Sequence, residues 1–144
     1  MAVIIGVIAT FWQARVAQAR RAKAEKRFSD VRNLAIYETE RARAQIELGR
    51  FRDAAPVLER VLEIMIPIAD ANDEPTYRYD VAIAHRFAAK AYFKLGNKAK
   101  AAGSIEKAIA IIQQLKSIDS LRDADKDLPA ELEAERAEYA GDAR

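Results

Sequence analysis

The sequence predicts an all-α protein, and three observations support that fold class. It contains thirty alanines but only five glycines and four prolines, and alanine is the residue that a helix accepts most readily. No proline or glycine lies between Gln13 and Gln45. Further along the chain, apolar side chains recur at spacings of three and four, which is the period of one helix face. We therefore expect a long N-terminal helix followed by antiparallel helix pairs.

The first element, residues 1–12, is an apolar run that reads MAVIIGVIATFW. As a helix it would rise about 18 Å, which is short of the roughly 30 Å hydrocarbon core of a bilayer. No basic residue precedes the run, which argues against a signal peptide. A tryptophan followed by cations is typical of the interfacial end of a transmembrane helix. We therefore expect residues 1–12 to be the last part of a membrane anchor, whose first part would lie upstream.

The second element, residues 13–33, is predicted to be a basic helical stalk. Residues 13–32 hold seven basic and two acidic side chains. Near an anionic lipid surface each cation contributes about 1 kcal/mol to binding, so we place Trp12, Arg15, Arg20 and Arg21 at the membrane interface. A solvated stalk without a ligand is the alternative. No aromatic side chains interleave with these cations, and we therefore do not expect nucleic acid as a partner.

The third element, residues 34–118, is predicted to contain two repeated helix pairs. Superposing Gly49 on Gly96 aligns LGRFRDAAPVLERVLEI with LGNKAKAAGSIEKAIAI, at a period of 47 residues. Each glycine is expected to take the left-handed conformation that ends one helix before the next begins. Pro56 is expected to delay the start of its helix or to bend it, and Pro67 is expected to close the segment together with the polar run 70–75. The predicted apolar faces comprise Ala54, Ala55, Leu58, Val61, Leu62, Met65 and Ala69, then Val81, Ala84, Ala88, Ala91, Tyr92 and Leu95, then Ala101, Ala102, Ile105, Ala108, Ile109, Ile112 and Leu115.

The last element, residues 119–144, is predicted to be an acidic linker and a C-terminal helix from about Pro129 to Tyr139. Residues 117–144 carry nine acidic and four basic side chains. Leu132, Tyr139 and Ala140 offer this helix only a thin apolar face. We expect it to dock weakly.

The repeated pattern, an L-G pair followed by an aromatic, small residues and a large aliphatic, resembles the tetratricopeptide repeat, which stacks into an α-solenoid. In that family the first helix of each pair lines a groove. The resemblance implies groove positions at Arg43, Arg86, Lys90, Phe93 and Lys94. Cations around an aromatic would suit an acidic or C-terminal peptide, while ordinary surface side chains are the alternative.

The segment GVIATFWQARVAQARRAKAEKRFSDVRNLA is similar to the stretch that follows the transmembrane helix in bacterial serine/threonine protein kinases with C-terminal tetratricopeptide repeats. This resemblance implies a membrane-anchored, non-catalytic interaction module, the sensor or scaffold part of a kinase-like protein at the bacterial inner membrane. Basic flanks favour the cytoplasmic side, whereas the resembled kinases would place this part outside. Two alternatives stay open: a self-associating helical protein that forms homo-oligomers, and a fragment of an active kinase whose catalytic domain lies upstream.

No catalytic pattern is found in the sequence. His85 is the single histidine and there is no cysteine, so a two-histidine or thiolate metal site within one chain is excluded. No serine lies in a G-x-S-x-G context, and no nucleotide-binding or D-F-G motif is present. We therefore expect no catalytic residue, no cofactor and no metal, and we expect His85 to be a packing residue within its helix.

Overall fold

Five α-helices and one short 3-10 helix form the part of the chain that the computed structural model describes, which is the backbone of residues 2–141 and the side chains of residues 6–141. No strand occurs within those residues, and the predicted all-α class is confirmed. Met1 of the predicted apolar segment and residues 142–144 of the predicted acidic tail lie outside the described residues. The helices are α1 (Ala2–Glu47), α2 (Phe51–Ala71), α3 (Pro75–Lys94), α4 (Lys98–Ser117) and α5 (Leu128–Gly141), and the 3-10 helix is Asp123–Asp125.

The chain divides into two units, Met1–Asn33 and Leu34–Arg144. The first unit consists of helix only. Among its residues 6–27 every side chain is exposed except Val16, which is half-buried. A helix without a buried face depends on the intrinsic preference of its residues, and Ala, Arg, Gln and Lys supply that preference here.

The second unit contains the packed helices. α2 packs on α3, α3 on α4, and α4 on α5. The short connections 48–50, 72–74 and 95–97 make the helices that they join antiparallel neighbours. Alanines with no exposed surface, such as Ala54, Ala88 and Ala101, allow close approach of the helix backbones. α1 enters this unit at Leu34, and its buried residues there are Ala35, Thr39, Ala42 and Ile46.

Gly49 and Gly96 both take the left-handed conformation that was predicted for them. Gly49 has φ 75° and Gly96 has φ 81°, the left-handed region that glycine enters without steric cost. After each glycine a backbone N–H donates back to the preceding helix, from Arg50 to the Gln45 carbonyl at 2.8 Å and from Asn97 to the Tyr92 carbonyl at 2.9 Å. These bonds satisfy carbonyls that the end of a helix leaves open.

A third turn of the same geometry follows α4, where no glycine is present. Asp119 has φ 56°, and the Ser120 N–H donates to the Leu115 carbonyl at 2.8 Å. An aspartate can occupy this region because its short side chain is less crowded there than a branched one, although the conformation still costs energy. The sequence did not reveal this turn, since Asp119 lacks the glycine signal.

The two prolines of α2 do not interrupt it: Pro56 does not delay its start, and it ends at Ala71, inside the predicted polar run and four residues beyond Pro67. α2 runs without a break from Phe51 to Ala71, through both Pro56 and Pro67. Each proline removes one N–H from the helix and leaves the carbonyl four residues earlier without its partner. Both prolines are exposed, as are Arg52 and Glu63, four residues before them. Water can therefore hydrate those carbonyls, and the buried face of α2 is unaffected.

The predicted apolar faces agree with the buried residues at most positions. On α2, Ala54, Ala55, Leu58, Val61, Met65 and Ala69 are buried, whereas Leu62 is half-buried; on α4, Ala101, Ile105, Ala108, Ile109, Ile112 and Leu115 are buried, whereas Ala102 is exposed. Near the end of α3, Tyr92 is half-buried, and Leu95, directly after the helix, is exposed. The Tyr92 hydroxyl donates to Glu59 of α2, and the Lys100 ammonium of α4 lies 5.2 Å from the centre of the Tyr92 ring. This cluster joins three helices at the end of the unit where Gly96 turns.

Candidate peptide-binding surface on α3

α3 is the central helix of the second unit, and four of the five predicted groove residues lie on it. Its interior side carries buried residues, among them Val81, Ala84, Ala88 and Ala91. Its remaining side is a strip that reaches solvent. We call Lys90 and Lys94, both exposed on that strip, the lysine strip. The side chains beside it make contacts with α1 on one flank and with α5 on the other.

On the α1 flank, Arg43 lies over the ring of Phe87, with 5.8 Å between the guanidinium carbon and the ring centre. The same guanidinium is 3.3 Å from a carboxylate oxygen of Glu47 and 3.8 Å from one of Glu40, both on its own helix. These pairs are exposed and each stabilises by only a few tenths of a kcal/mol. Arg43 therefore already has acidic neighbours on α1, and it lies beside α3 rather than alone on the surface.

On the α5 flank, Arg86 binds two carboxylates. Its Nε donates to Glu135 at 2.9 Å and its Nη2 to Glu131 at 3.0 Å. Burial alone would lower the pKa of Arg86, but the hydrogen bonds and the attraction of Glu135 and Glu131 outweigh that effect and raise it. The cation thus stays charged while its side chain is only 24% exposed. A paired guanidinium in this partly dry position is a specific anchor for a carboxylate.

Phe93 makes the second contact on this flank. Its ring centre lies 4.7 Å from that of Tyr139, with an angle of 31° between the ring planes. Burial, then the charges of Glu135 and Glu138, raise the pKa of the Tyr139 hydroxyl, so this tyrosine stays neutral. Arg86 and Phe93 are therefore both engaged by α5, on the surface that the resemblance assigned to a peptide.

Lys90 and Lys94 differ from these two neighbours. Neither forms an ion pair or hydrogen bond with another residue that the structure describes. Lys90 lies one turn from Arg86, and Lys94 one turn further, because residues four apart share a helix face. The structure thus brings the four predicted residues of α3 onto one side of one helix, with two of them covered by α5 and two open to solvent.

The connection between α4 and α5 is fastened to α3 as well. The Tyr79 hydroxyl donates to Asp125 Oδ1 at 3.0 Å. Arg122 Nε lies 2.7 Å from Asp125 Oδ2, and its guanidinium carbon lies 4.9 Å from the centre of the Tyr79 ring. Burial and the neighbouring Asp125 raise the pKa of Tyr79. The sequence did not indicate these contacts.

α5 has more attachments than its thin apolar face indicated. Leu128, Leu132 and Tyr139 are buried in a cluster with Ile105, Ile109 and Ile112 of α4, whereas Ala140 is exposed. One signal in the sequence pointed to this docking. Leu128, Leu132, Glu135 and Tyr139 follow one another at spacings of four, three and four, so they share a helix face.

His85 lies inside the second unit, with 5% of its surface exposed. Burial, and then the charge of Lys107, lower its pKa to about 4. Its Nδ1 has no hydrogen-bond partner within the described part of the chain. An uncharged, enclosed imidazole of this kind has a structural role, and protonating it would disfavour the folded state.

The predicted interface residues of the first unit are all exposed. Trp12 is 67% exposed, beside the similarly exposed Val7, Ile8 and Phe11. Arg15 lies over the Phe11 ring at 4.9 Å, and Arg20 and Arg21 are exposed one to two turns later. Within the described residues, no helix has the length and apolar content needed to cross a bilayer.

Within residues 2–141, no three histidine, aspartate or glutamate side chains come together as a set of metal ligands. The solvent-facing side of α3 thus carries a cation held between two carboxylates, an aromatic contact and two exposed lysines. In comparisons with known proteins, no family model, no curated protein and no solved structure matches this chain.

Proposed function

We propose that this chain is a non-catalytic protein-interaction module of tetratricopeptide type that is held at a membrane by its N-terminal helix. The partner surface is the lysine strip of α3, and the partner is a peptide segment rich in carboxylates. The observation that carries the proposal is the presence of two unpaired lysines one and two turns from Arg86, which already binds two glutamates of an acidic helix.

The chemistry of the strip supports an acidic ligand. Lys90 and Lys94 lie on one helix face four residues apart, so their ammonium groups can reach carboxylates one turn apart on a ligand. Exposed ion pairs are individually weak and are screened by salt. Binding to the strip should therefore weaken with rising ionic strength, and its strength should come from apolar contacts made beside the lysines.

The exposed apolar residues of the first unit support the membrane part of the proposal. Phe11 and Trp12 are aromatic side chains of the kind that settle at the headgroup level. Arg15, Arg20 and Arg21 follow them, and each cation near an anionic surface adds about 1 kcal/mol. The resemblance to membrane-bound bacterial serine/threonine kinases supports the proposal that this chain is the sensor or scaffold part of such a system at the bacterial inner membrane.

A peptide library tests the interaction function. The full chain is immobilised and a random peptide library is selected on it, with an unrelated all-helical protein as the reference. We expect enriched peptides to be acidic and to lose binding to the variant Lys90→Glu/Lys94→Glu. The matched control is Arg52→Glu/Arg60→Glu, which changes two exposed cations of α2 and alters the net charge equally.

The two variants decide the outcome. The control should bind the enriched peptides as the natural chain does, after correction for net charge by measurements at two salt concentrations. The thermal midpoints of all three proteins should agree within a few degrees, because the substituted side chains are exposed. Equal binding by both variants, or no enrichment over the reference protein, would refute the proposal.

Self-association is a second candidate, and an exposed row of side chains along the last part of α1 and the turn after it favours it. Leu34, Tyr37 and Leu48 are 59%, 65% and 71% exposed, and with Arg41 and Ala44 they follow the alternating spacing of three and four that is typical of a helix–helix seam. Light scattering after size-exclusion chromatography separates the candidates. A dimer that Leu34→Glu/Leu48→Glu converts to a monomer supports self-association, whereas a monomer at all concentrations counts against it.

A further inference from the structure

α5 presents a single face to the body of the second unit. Leu128, Leu132, Glu135 and Tyr139 lie on that face, and the three apolar ones are buried. Glu131 flanks them and binds Arg86 with Glu135. The docked surface of α5 is therefore that of an acidic amphipathic helix, with leucines at its start, carboxylates in its middle and a tyrosine at its end.

The surface beneath α5 is complementary to each part of that helix. Ile105, Ile109 and Ile112 of α4 join the cluster that buries the two leucines. Arg86 meets the carboxylates, and Phe93 meets the tyrosine ring. Aromatic and arginine anchors in a partly dry setting are typical of the residues that dominate binding at protein interfaces. α5 itself is thus a helix of the kind that this surface can bind.

The surface beneath α5 is continuous with the lysine strip. Arg86, Lys90 and Phe93 occupy two turns of α3, and residues at such spacings are neighbours on a helix. A ligand that extends from the lysine strip towards Arg86 meets the carboxylates of α5. An acidic ligand and α5 therefore compete for the same guanidinium.

α5 has features that would allow it to undock from α3 and α4. It has 14 residues, a length at which an isolated helix is marginal in water, so it depends on docking to stay helical. The connection that leads to it contains Asp119 at φ 56° and a 3-10 helix of three residues with no buried side chain, and the hydrogen bond from Tyr79 to Asp125 holds it to α3. The attachment of α5 combines an apolar cluster shared with α3 and α4 and the ion pairs of Arg86 with Glu131 and Glu135, and of these the ion pairs are the part that salt weakens.

We propose that α5 is a displaceable ligand of its own chain, and that the surface of α3 and α4 beneath it binds an acidic amphipathic helix from a partner protein with the same spacing of Leu, Glu and Tyr. This inference rests on the proposed function, because it takes the interaction partner of α3 to be an acidic segment. It adds the helical form of that segment, its pattern and the internal competitor. A tethered ligand acts at a high effective concentration, so the free partner binds only the fraction of chains whose α5 is undocked.

The test uses the full chain and a fluorescent peptide that copies residues 126–144. The variant Glu135→Arg replaces one ion pair of Arg86 with a like-charge contact, which should raise the fraction of chains whose α5 is undocked. We expect the peptide to bind this variant at least tenfold more tightly than it binds the natural chain, as measured by fluorescence anisotropy. The matched control is Glu138→Arg, which changes an exposed glutamate of the same helix and should leave the weak binding unchanged.

A charge exchange in trans keeps the test independent of any damage to the fold. In the full-chain variant Arg86→Glu, residue 86 is acidic. A peptide that carries arginine at position 135 should bind this variant better than the natural peptide does. The double variant Arg86→Glu/Glu135→Arg should restore internal docking and weak peptide binding. Equal binding of the natural peptide to the natural chain and to Glu135→Arg, or binding that is indifferent to the charge at position 86, would overturn the inference.

The two proposals fail in different ways. If library peptides ignore Lys90 and Lys94 while the α5 peptide binds Glu135→Arg in the charge-dependent manner described, the lysine strip is refuted as a partner site and the surface beneath α5 is kept. If acidic peptides need the lysines but the α5 peptide binds both chains equally, the interaction function stands and the displaceable helix is refuted.

Discussion

The first unit and the packed helices of the second unit are both almost entirely helical, yet their relation to solvent is opposite. Residues 6–27 expose every side chain but one, which is half-buried, whereas α2, α3 and α4 each bury one face. The helical conformation of the first unit therefore depends on the intrinsic helix preference of its residues, whereas that of the second unit depends on packing. The difference teaches that substitutions of buried side chains in the second unit should lower the free energy of unfolding, whereas substitutions within residues 6–27 should leave it nearly unchanged.

The largest expected effect is the loss of a core side chain of α4. Ile112 has no exposed surface, so Ile112→Ala removes buried methyl groups and leaves a cavity. We expect the free energy of unfolding to fall by about 2–5 kcal/mol in urea titrations followed by circular dichroism. Phe11→Ala in the first unit is the contrasting variant, and we expect it to change that free energy by less than about 0.5 kcal/mol. Similar losses in the two variants would break the comparison.

Acid should produce the next largest effect, through His85. Its folded pKa is about 4, below the value of about 6.5 in an unfolded chain, so the unfolded state takes up the proton first. The contribution of the neutral imidazole to the free energy of unfolding is fully present above pH 6.5. It is lost as the pH falls from 6.5 to 4, by about 3 kcal/mol in total. Urea titrations across that range should show the loss.

The variant His85→Leu isolates this contribution from the carboxylates that titrate near the lower limit. The variant should lose less stability than the natural chain between pH 6.5 and 4, by about the same 3 kcal/mol. Parallel curves for the two proteins would contradict the assignment of a buried, neutral histidine to the interior of the second unit.

A smaller effect, of opposite sign, is expected at the turn after α4. Asp119 occupies the left-handed region at φ 56°, where Gly49 and Gly96 supply the residue that fits best. Asp119→Gly should raise the free energy of unfolding by about 0.5–1 kcal/mol, because the strain that a β-carbon brings is removed. Asp119→Ala keeps the β-carbon and should not stabilise. A gain from alanine equal to that from glycine would mean that the aspartate's charge, and not its conformation, is responsible.

The smallest effect on stability, and a large one on binding, is expected in the first unit. Trp12 is the only tryptophan of the chain, so intrinsic tryptophan fluorescence reports on that position alone. Vesicles that contain anionic phospholipid should shift its emission to shorter wavelength, whereas vesicles of neutral phospholipid should shift it less. Arg20→Glu/Arg21→Glu should weaken the response severalfold with an unchanged melting temperature. An emission spectrum that is unaffected by anionic vesicles would contradict the membrane proposal.

The features that could be predicted from the sequence are those determined by residues close together along the chain. The helical class, the turns at Gly49 and Gly96, and most of the buried faces of α2 and α4 follow from spacing and from glycine geometry. The sequence did not show that α2 continues through Pro56 and Pro67. Whether a helix does so depends on the exposure of the affected carbonyls, which is a property of the folded chain.

The candidate surface was predictable only in part for the same reason. The positions of Arg86, Lys90, Phe93 and Lys94 on one side of α3 follow from the helical period and from the resemblance. The contacts that distinguish them do not, because Glu131, Glu135 and Tyr139 lie more than 40 residues further along the chain. Only the folded arrangement separates two lysines that are open to solvent from an arginine and a phenylalanine that α5 covers.

The central claim, that the exposed side of α3 binds an acidic peptide, is tested most directly by chemical-shift mapping. The ¹⁵N-labelled full chain is titrated with the most enriched acidic peptide from the library selection, at low and at moderate salt. We predict that the largest shifts occur in the amides around Lys90 and Lys94, extend to Arg86, and diminish with salt. Shifts centred on the outer face of α2, or none near Lys90 and Lys94 when the peptide is bound, would contradict the account.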